Sequence, residues 1–332
     1  MQILVTGGTG FLGSYVVQLL VEQNHDVVCL VRGSSDTSFL DRLGVDTQIG
    51  DLGDPSSLHS IPRGTEIVHH IGAYYTFLGK KKLYQKYNVE GTRALLDACE
   101  AAGVTQFIYC SSAEVTVDTL AAQTRNDYIT EETPYNPQFE YGHSKMKAEK
   151  IVKQHEGEMR WTILRPSGMY GPHNIDDISF WFIEAVAKHK LSVWFRVRNT
   201  GTIHFTHVRD VAQGFILAQK EAAYQQIFYL ASDECKRVDE ILELVGELLE
   251  KKTPRLTVPK ILAKMLVFPV QLFNKARGKP DFFLQLAAID AITRGRNYSN
   301  QKAKNLLGFQ PQYDYVTGIT ETINWYKEEG IL

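Results

Sequence analysis

A short apolar run, Ile3-Leu4-Val5, leads directly into Thr6-Gly7-Gly8-Thr9-Gly10-Phe11-Leu12-Gly13, and a helical pattern follows over residues 14–21. Few arrangements satisfy strand, glycine turn and helix in that order. Glycines permit the tight turn, let the backbone come close to a ligand, and let the helix pack on the strand. The helix start offers free N–H groups and the positive end of a dipole, which suits phosphates. Two registers fit, Gly7-Gly10-Gly13 and Gly8-Gly10-Gly13. A bare strand–helix turn is the alternative. The order of elements favours a dinucleotide site, with Gly7, Thr9, Gly10, Phe11, Leu12 and Gly13 at the cofactor.

The same alternation continues through the first half. Strand patterns fall at 25–31, 65–70, 106–110 and 161–165, with helices at 88–102 and around Tyr141. That rhythm predicts an α/β fold of Rossmann type, a doubly wound parallel sheet with helices on both faces. Beyond Arg165 the rhythm breaks into loops rich in Gly, Pro and aromatics. Helices follow at 238–251 and near 319–327. The expected division is a nucleotide-binding domain over 1–165 plus about 203–230. A smaller, mostly helical substrate domain is expected over about 166–202 and 231–332.

A net charge of −2 leaves no global field to attract nucleic acid. Cys29, Cys99, Cys110 and Cys235 stand far apart, as in a reducing compartment. No secretory signal and no apolar run of about 18 residues is evident, so a cytoplasmic location is expected. The histidines lack metal-ligand spacing, and no metal is expected.

Cofactor choice is set at the end of the second strand. An acid there would hold the ribose hydroxyls of NAD. Arg32 stands there instead, where a guanidinium can pair with a 2′-phosphate, and Ser34 and Ser35 follow. NADP(H) is therefore expected over NAD(H), unless Arg32 is a plain surface charge. Asp51-Leu52 either holds the adenine edge or forms a turn.

Tyr141 and Lys145 are four residues apart and share a helix face. A free phenol has a pKa of about 10. A neighbouring ammonium should draw it toward the working range. Ser111-Ser112 ends the strand at 106–110, where a hydroxyl can donate to a substrate carbonyl or simply cap a turn.

Taken in order, these pieces resemble an extended short-chain dehydrogenase/reductase of the NAD-dependent epimerase/dehydratase superfamily. The resemblance rests on Thr6-Gly-Gly-Thr-Gly-Phe-Leu-Gly13, Asp51-Leu52, Val68-His-His-Ile-Gly-Ala73, Asn88-Val-Glu-Gly-Thr92, Tyr109-Cys-Ser-Ser-Ala113, Tyr141-x-x-x-Lys145, Arg165-Pro166, Tyr170-Gly-Pro172 and His207-Val-Arg-Asp210. Lys302-Ala303 and Leu307-Gly-Phe309 extend it. Gly72 departs by one methyl from the family's usual Ala. The resemblance implies that Tyr141 is the general acid/base and Ser112 holds the substrate oxygen. It implies that Lys145 binds the nicotinamide ribose and lowers the Tyr141 pKa. Asn88 lines or supports the site, or caps the following helix. Gly72, Ala73, Pro166 and Ser167 would complete the cofactor contacts.

Two positions separate the superfamily's branches. Nucleotide-sugar enzymes usually carry Arg-x-Phe-Asn before Tyr-Gly-Pro, where this chain has Arg165-Pro166-Ser167-Gly168. They also carry a pyrophosphate-gripping Arg where Ile203 stands. The chain thus looks closer to the 3β-hydroxysteroid dehydrogenase and dihydroflavonol reductase-like branch, which implies NADP(H)-dependent interconversion of a ketone and a secondary alcohol on an apolar substrate. A sugar epimerase or dehydratase is the alternative. A cofactor-sensing regulator without chemistry is a third reading, disfavoured because Ser112, Tyr141 and Lys145 are all present. Tyr74, Tyr75, Phe77, Phe180, Trp181, Phe182, Trp194 and Phe195 are candidate cleft residues or packing for the second domain.

The apolar segment 259–273, with Lys260, Lys264, Lys275 and Arg277, is expected to pack as a helix on the second domain, with weak lipid contact as the alternative. A homodimer through the helices 88–102 and 141–153 is the expected assembly.

Overall fold

The computed structural model describes all residues except 59–60, 77–78, 117–127, 191–194, 255 and 279–283. Seven strands form one sheet in the order Gln226–Leu230, Arg160–Pro166, Gln106–Cys110, Thr65–His70, Gln2–Thr6, Asp26–Val31 and Asp46–Ile49. Every neighbouring pair is parallel. Ile3, Leu4 and Val5 are wholly buried, which a strand covered on both faces requires. The strand order reverses between Gln2–Thr6 and Thr65–His70. Their carboxyl ends therefore open a crevice, the usual ligand position in such sheets.

Two apolar cores flank the sheet. Helices Phe11–Glu22 and Val208–Leu217 cover one face through Val16, Leu20, Val211 and Phe215. Helices Gly91–Ala101 and Glu140–Lys153 cover the other through Leu95, Leu96, Ala148 and Val152. A third core joins helices Ile178–Ala187, Val238–Leu248 and Tyr315–Glu328 beyond the crevice.

The break in rhythm after Arg165 has a local cause. The short parallel pair Gly168–Tyr170 and Phe205–His207 interrupts the alternation. Helix Val208–Leu217 and strand Gln226–Leu230 then return to the sheet beside Arg160–Pro166.

The segment 259–273 packs as a helix, through one narrow seam against Val197, Val258 and Ile289. Helix Lys260–Ala276 forms, but only Ala263 and Val267 are buried. Most of its large apolar side chains are exposed. Among the described residues no helix is long and apolar enough to cross a membrane.

Four buried histidines make stability depend on pH. Burial pushes His69, His70 and His207 down to about 3 and His204 to about 4. An unfolded histidine takes up a proton near pH 6.5. Between these limits the unfolded chain binds more protons, so stability falls as pH falls. Each histidine contributes at most about 1.4 kcal/mol per pH unit. Asp177, raised to about 6, works in the opposite sense as a single group. Urea midpoints at pH 7.5 and 5.0 should show clear destabilisation at the lower pH; equal midpoints would contradict neutral buried histidines.

Candidate active site

The glycine loop takes the Gly7-Gly10-Gly13 register. Gly7 has φ +76°, a conformation that disfavours a side chain, and a Cβ there would lie 2.7 Å from the Gly72 nitrogen. A Cβ on Gly13 would overlap the Gly7 carbonyl. Gly10 N–H donates to the Gly7 carbonyl at 2.9 Å and stands at the helix N-cap. No side chain caps that end, so the first-turn N–H groups stay open to an anion. Thr9 and Gly10 are exposed at the loop tip, Phe11 is half-buried, and Leu12 anchors the helix in the core.

Arg32 is exposed beyond strand Asp26–Val31, and its guanidinium has no partner among the described residues. The Asp51 carboxylate accepts the Gly53 N–H at 2.8 Å, so one oxygen closes a turn. Leu52 lies beside Gly72. The Gly72 N–H donates to the Thr6 carbonyl and to Thr6 Oγ1, both at 3.0 Å, which brings the 72–73 segment against the glycine loop. Pro166 ends its strand in the interior, and Ser167 Oγ bonds Thr206 Oγ1 at 2.7 Å. The buried Ser111 hydroxyl has no partner among the described residues. That orphaned hydroxyl, the uncapped helix and the close-approach glycines fit a dinucleotide.

Tyr141, Lys145 and Ser112 come together on the crevice. Tyr141 and Lys145 lie one turn apart on helix Glu140–Lys153, and the Ser112 hydroxyl is close enough to the Tyr141 phenol to draw its pKa down. Lys145 Nζ donates to the Cys110 carbonyl at 2.7 Å and stands 5.9 Å from the centre of the Tyr141 ring. The expected downward shift of Tyr141 does not appear. Burial raises its pKa well above 10, and the neighbouring Ser112 hydroxyl only partly opposes this. Burial lowers Lys145. Desolvation of the phenol outweighs the opposing pull of its neighbours, and Tyr141 is held protonated.

Asn88 is not a helix cap. It lies inside a π-helical turn, Gln85–Glu90, that runs on into Gly91–Ala101. Its Oδ1 accepts the Tyr74 N–H at 2.7 Å. Its Nδ2 donates to the Tyr74 carbonyl at 3.0 Å and to Ser144 Oγ at 2.9 Å. Ser144 Oγ in turn donates to the Tyr141 carbonyl at 2.7 Å. Asn88 thus ties the helix that carries Tyr141 to the 74–75 segment.

Sequence reasoning missed the other half of this network. His70 bonds Thr6 Oγ1 at 2.7 Å and Thr92 Oγ1 at 2.9 Å, and Thr92 Oγ1 donates to the Asn88 carbonyl at 2.7 Å. With its proton spent there, Thr92 must accept from His70 Nε2, leaving Nδ1 to accept from Thr6. A neutral His70 meets that requirement. The chain therefore runs unbroken from glycine loop to catalytic helix. The signal in sequence was only His70 and Thr92 within two of the motifs.

Of the aromatic candidates, Tyr75 reaches the site. Its ring lies edge-on to Tyr141 at 4.9 Å, and its hydroxyl donates to Asp177 at 2.7 Å. Asp177 also caps helix Ile178–Ala187 by accepting the Ile178 N–H at 2.6 Å. Tyr74 packs on Tyr84 and Tyr87, Phe180 on Tyr326, and Phe182 on Phe205. Phe195 joins a small core at helix Lys260–Ala276. Trp181 is half-buried on helix Ile178–Ala187. Phe77 and Trp194 lie outside the described residues. Ile203 is buried in the third core. Glu114 and Arg296 also escaped notice; they pair at 3.2 Å next to Ser112, whose Oγ accepts the Glu114 N–H. Among the described residues no group of His, Cys, Asp or Glu side chains could hold a metal ion.

Residues 3–230 match the model of the NAD dependent epimerase/dehydratase family. The chain is 25% identical over its whole length to the whole of sterol demethylase protein B of Methylococcus capsulatus. It is 26% identical to 3-beta-hydroxysteroid dehydrogenase of Mycolicibacterium neoaurum, covering 98% of this chain and 92% of that one. Among solved structures, that of gox2253 superposes with a TM-score of 0.82 at 28% identity, over 99% of this chain and 98% of that one. The chain belongs to the NAD dependent epimerase/dehydratase family, the extended short-chain dehydrogenases/reductases, and is an NAD(P)-dependent enzyme acting at a CH–OH carbon.

Proposed function

We propose that the protein interconverts a ketone and a secondary alcohol on a largely apolar substrate of steroid, terpenoid or flavonoid type, with NADP(H) as the carrier. The observation that carries this reading is the placement of the buried Tyr141 phenol, one helical turn from Lys145 and edge-on to Tyr75. A phenol held neutral by burial is a general acid suited to a carbonyl oxygen. The bound nicotinamide supplies the hydride. Ser112 holds the substrate oxygen, Tyr141 delivers its proton, and the Lys145 ammonium steadies the phenolate left behind.

Substrate class rests on the anchors that are missing. Ile203 is only 8% exposed and packs in an apolar core, where the sugar enzymes would place a phosphate ligand. The nearby guanidinium of Arg296 is already held by Glu114 and, at 2.9 Å, by the Ala291 carbonyl. A diphosphate entering here would lose water without equivalent donors. The sterol and steroid names of the relatives agree with an apolar substrate. For the cofactor, support comes from the free Arg32 guanidinium at the position that contacts the adenosine ribose.

Oxidation of NADPH across ketones of increasing apolar bulk tests the reading. Turnover should rise with bulk, while UDP-glucose and dTDP-glucose at millimolar concentration leave the melting temperature unchanged. A melting shift with either sugar nucleotide would instead favour an epimerase or dehydratase. Tyr141→Phe should lower turnover by about 10²–10⁴-fold with NADPH affinity nearly intact. Arg32→Ala should weaken NADPH by about ten- to a hundred-fold and spare NADH, measured by titration of each cofactor. Equal loss for both would make Arg32 an ordinary surface charge.

A further inference from the structure

Helix Lys260–Ala276 inverts the normal use of an amphipathic helix. Its buried seam is narrow, Ala263 and Val267. Ile261 is 75% exposed, Met265 67%, Phe273 58%, and Phe268 and Leu272 50% each; Leu262 and Leu266 are exposed as well. At about 100° per residue these seven positions share one arc of about 160°. Lys264 and Lys275 border that arc on one side and Arg277 on the other. The helix carries no acidic residue. Lys260 and Lys264 turn down to Asp290 on helix Leu286–Ile292, each at 2.8 Å. Lys275 is exposed without an acidic partner among the described residues, and Arg277 lies over the Phe273 ring.

We propose that this helix lies in the plane of an anionic lipid surface. The apolar arc around Met265 and Leu272 sinks among the acyl chains, and Lys275 and Arg277 on its borders meet headgroup phosphates and carboxylates. At about 25 Å the helix is long enough to lie in an interface and too short to span one. An exposed apolar patch with a polar rim marks an interaction surface. The charges decide its partner. A second copy of this chain would present the same face to itself, with basic rims opposed and no acid on either helix to answer them. Anionic lipid answers both the apolar arc and its rim.

Val267 on the buried seam of the helix lines an apolar cavity of about 80 Å³ together with Phe182, Leu242 and Ile289. Phe182 belongs to the helix that Asp177 caps beside Tyr75 and Tyr141. The lipid-facing helix is thus one helix removed from the catalytic tyrosine. The lipid contact itself requires no particular substrate.

Co-sedimentation of the full chain with vesicles of phosphatidylcholine alone, and of phosphatidylcholine mixed with phosphatidylglycerol, tests the proposal. The protein should pellet with the anionic vesicles and be released by high salt. The double substitution Phe268→Asp and Phe273→Asp should weaken partitioning at least tenfold at an unchanged melting temperature. Lys275→Glu with Arg277→Glu, which leaves the apolar arc intact, should weaken it by a similar factor and guards against a folding defect in the first variant. Sedimentation velocity follows oligomeric state in parallel. Protein that stays in the supernatant with anionic vesicles overturns the proposal. So does an oligomer that dissociates on the double substitution Phe268→Asp and Phe273→Asp, since a second copy would then own the face.

Discussion

The site depends on one buried ion pair. Arg165, at the end of its strand, grips Glu149 on the catalytic helix through Nε at 2.9 Å and NH2 at 2.8 Å. Their side chains are 2% and 0% exposed. A pair so deep repays its desolvation only with good geometry and further bonds. Both are present: the fork is bidentate, Tyr135 donates to Glu149 at 2.8 Å, and Arg165 donates to the Tyr229 hydroxyl at 3.2 Å. Loss of either partner would strand a buried charge, at a cost of about 3–5 kcal/mol. Glu149 sits one turn beyond Lys145 and two beyond Tyr141. Fixing it to the sheet fixes the rotation and height of both.

The other clamps act on the same helix from different sides. Lys145 is tied to the Cys110 carbonyl, and Ser144 is tied through Asn88 to the 74–75 segment. From Asn88 the network continues through Thr92 and His70 to Thr6, beside the glycine loop. Every proton in it has one assignment, so each group specifies the next. Cofactor loop and catalytic helix are therefore held in one rigid frame across the sheet. The same burial that makes these bonds strong keeps the Tyr141 phenol protonated and His70 neutral.

Polar groups thus lie in the core while a broad apolar face stands in water. Each departs from the usual sorting of residues, and each has its own physical logic. The polar groups of the Arg165–Glu149 pair and of the His70–Asn88 network find partners, which makes their burial tolerable, while the Ser111 hydroxyl at the crevice does not. The exposed side chains of helix Lys260–Ala276 find none within the described chain, and their arc is bordered by positive charge.

Much was already legible in the residues. Strand, glycine turn and helix at the N-terminus fix the nucleotide loop, because only glycine tolerates the φ of Gly7 and the contact at Gly13. The spacing of Tyr141 and Lys145 puts them on one helix face wherever that helix packs. Periods of two and 3.6 residues locate the strands and helices, since each reports a buried face. Other features belong to tertiary structure alone. Whether Lys145 or burial governs Tyr141 is decided by how deeply the phenol is packed, and Lys145 itself is held by the Cys110 carbonyl, 35 residues away in sequence. Asn88 reads equally as cap or site residue until Ser144 and Tyr74 arrive beside it. His70 is an undistinguished buried histidine until Thr6 and Thr92 occupy its two nitrogens. An amphipathic pattern at 260–276 states that one face differs from the other; only packing decides which face is covered, because burial depends on neighbours that local sequence does not specify.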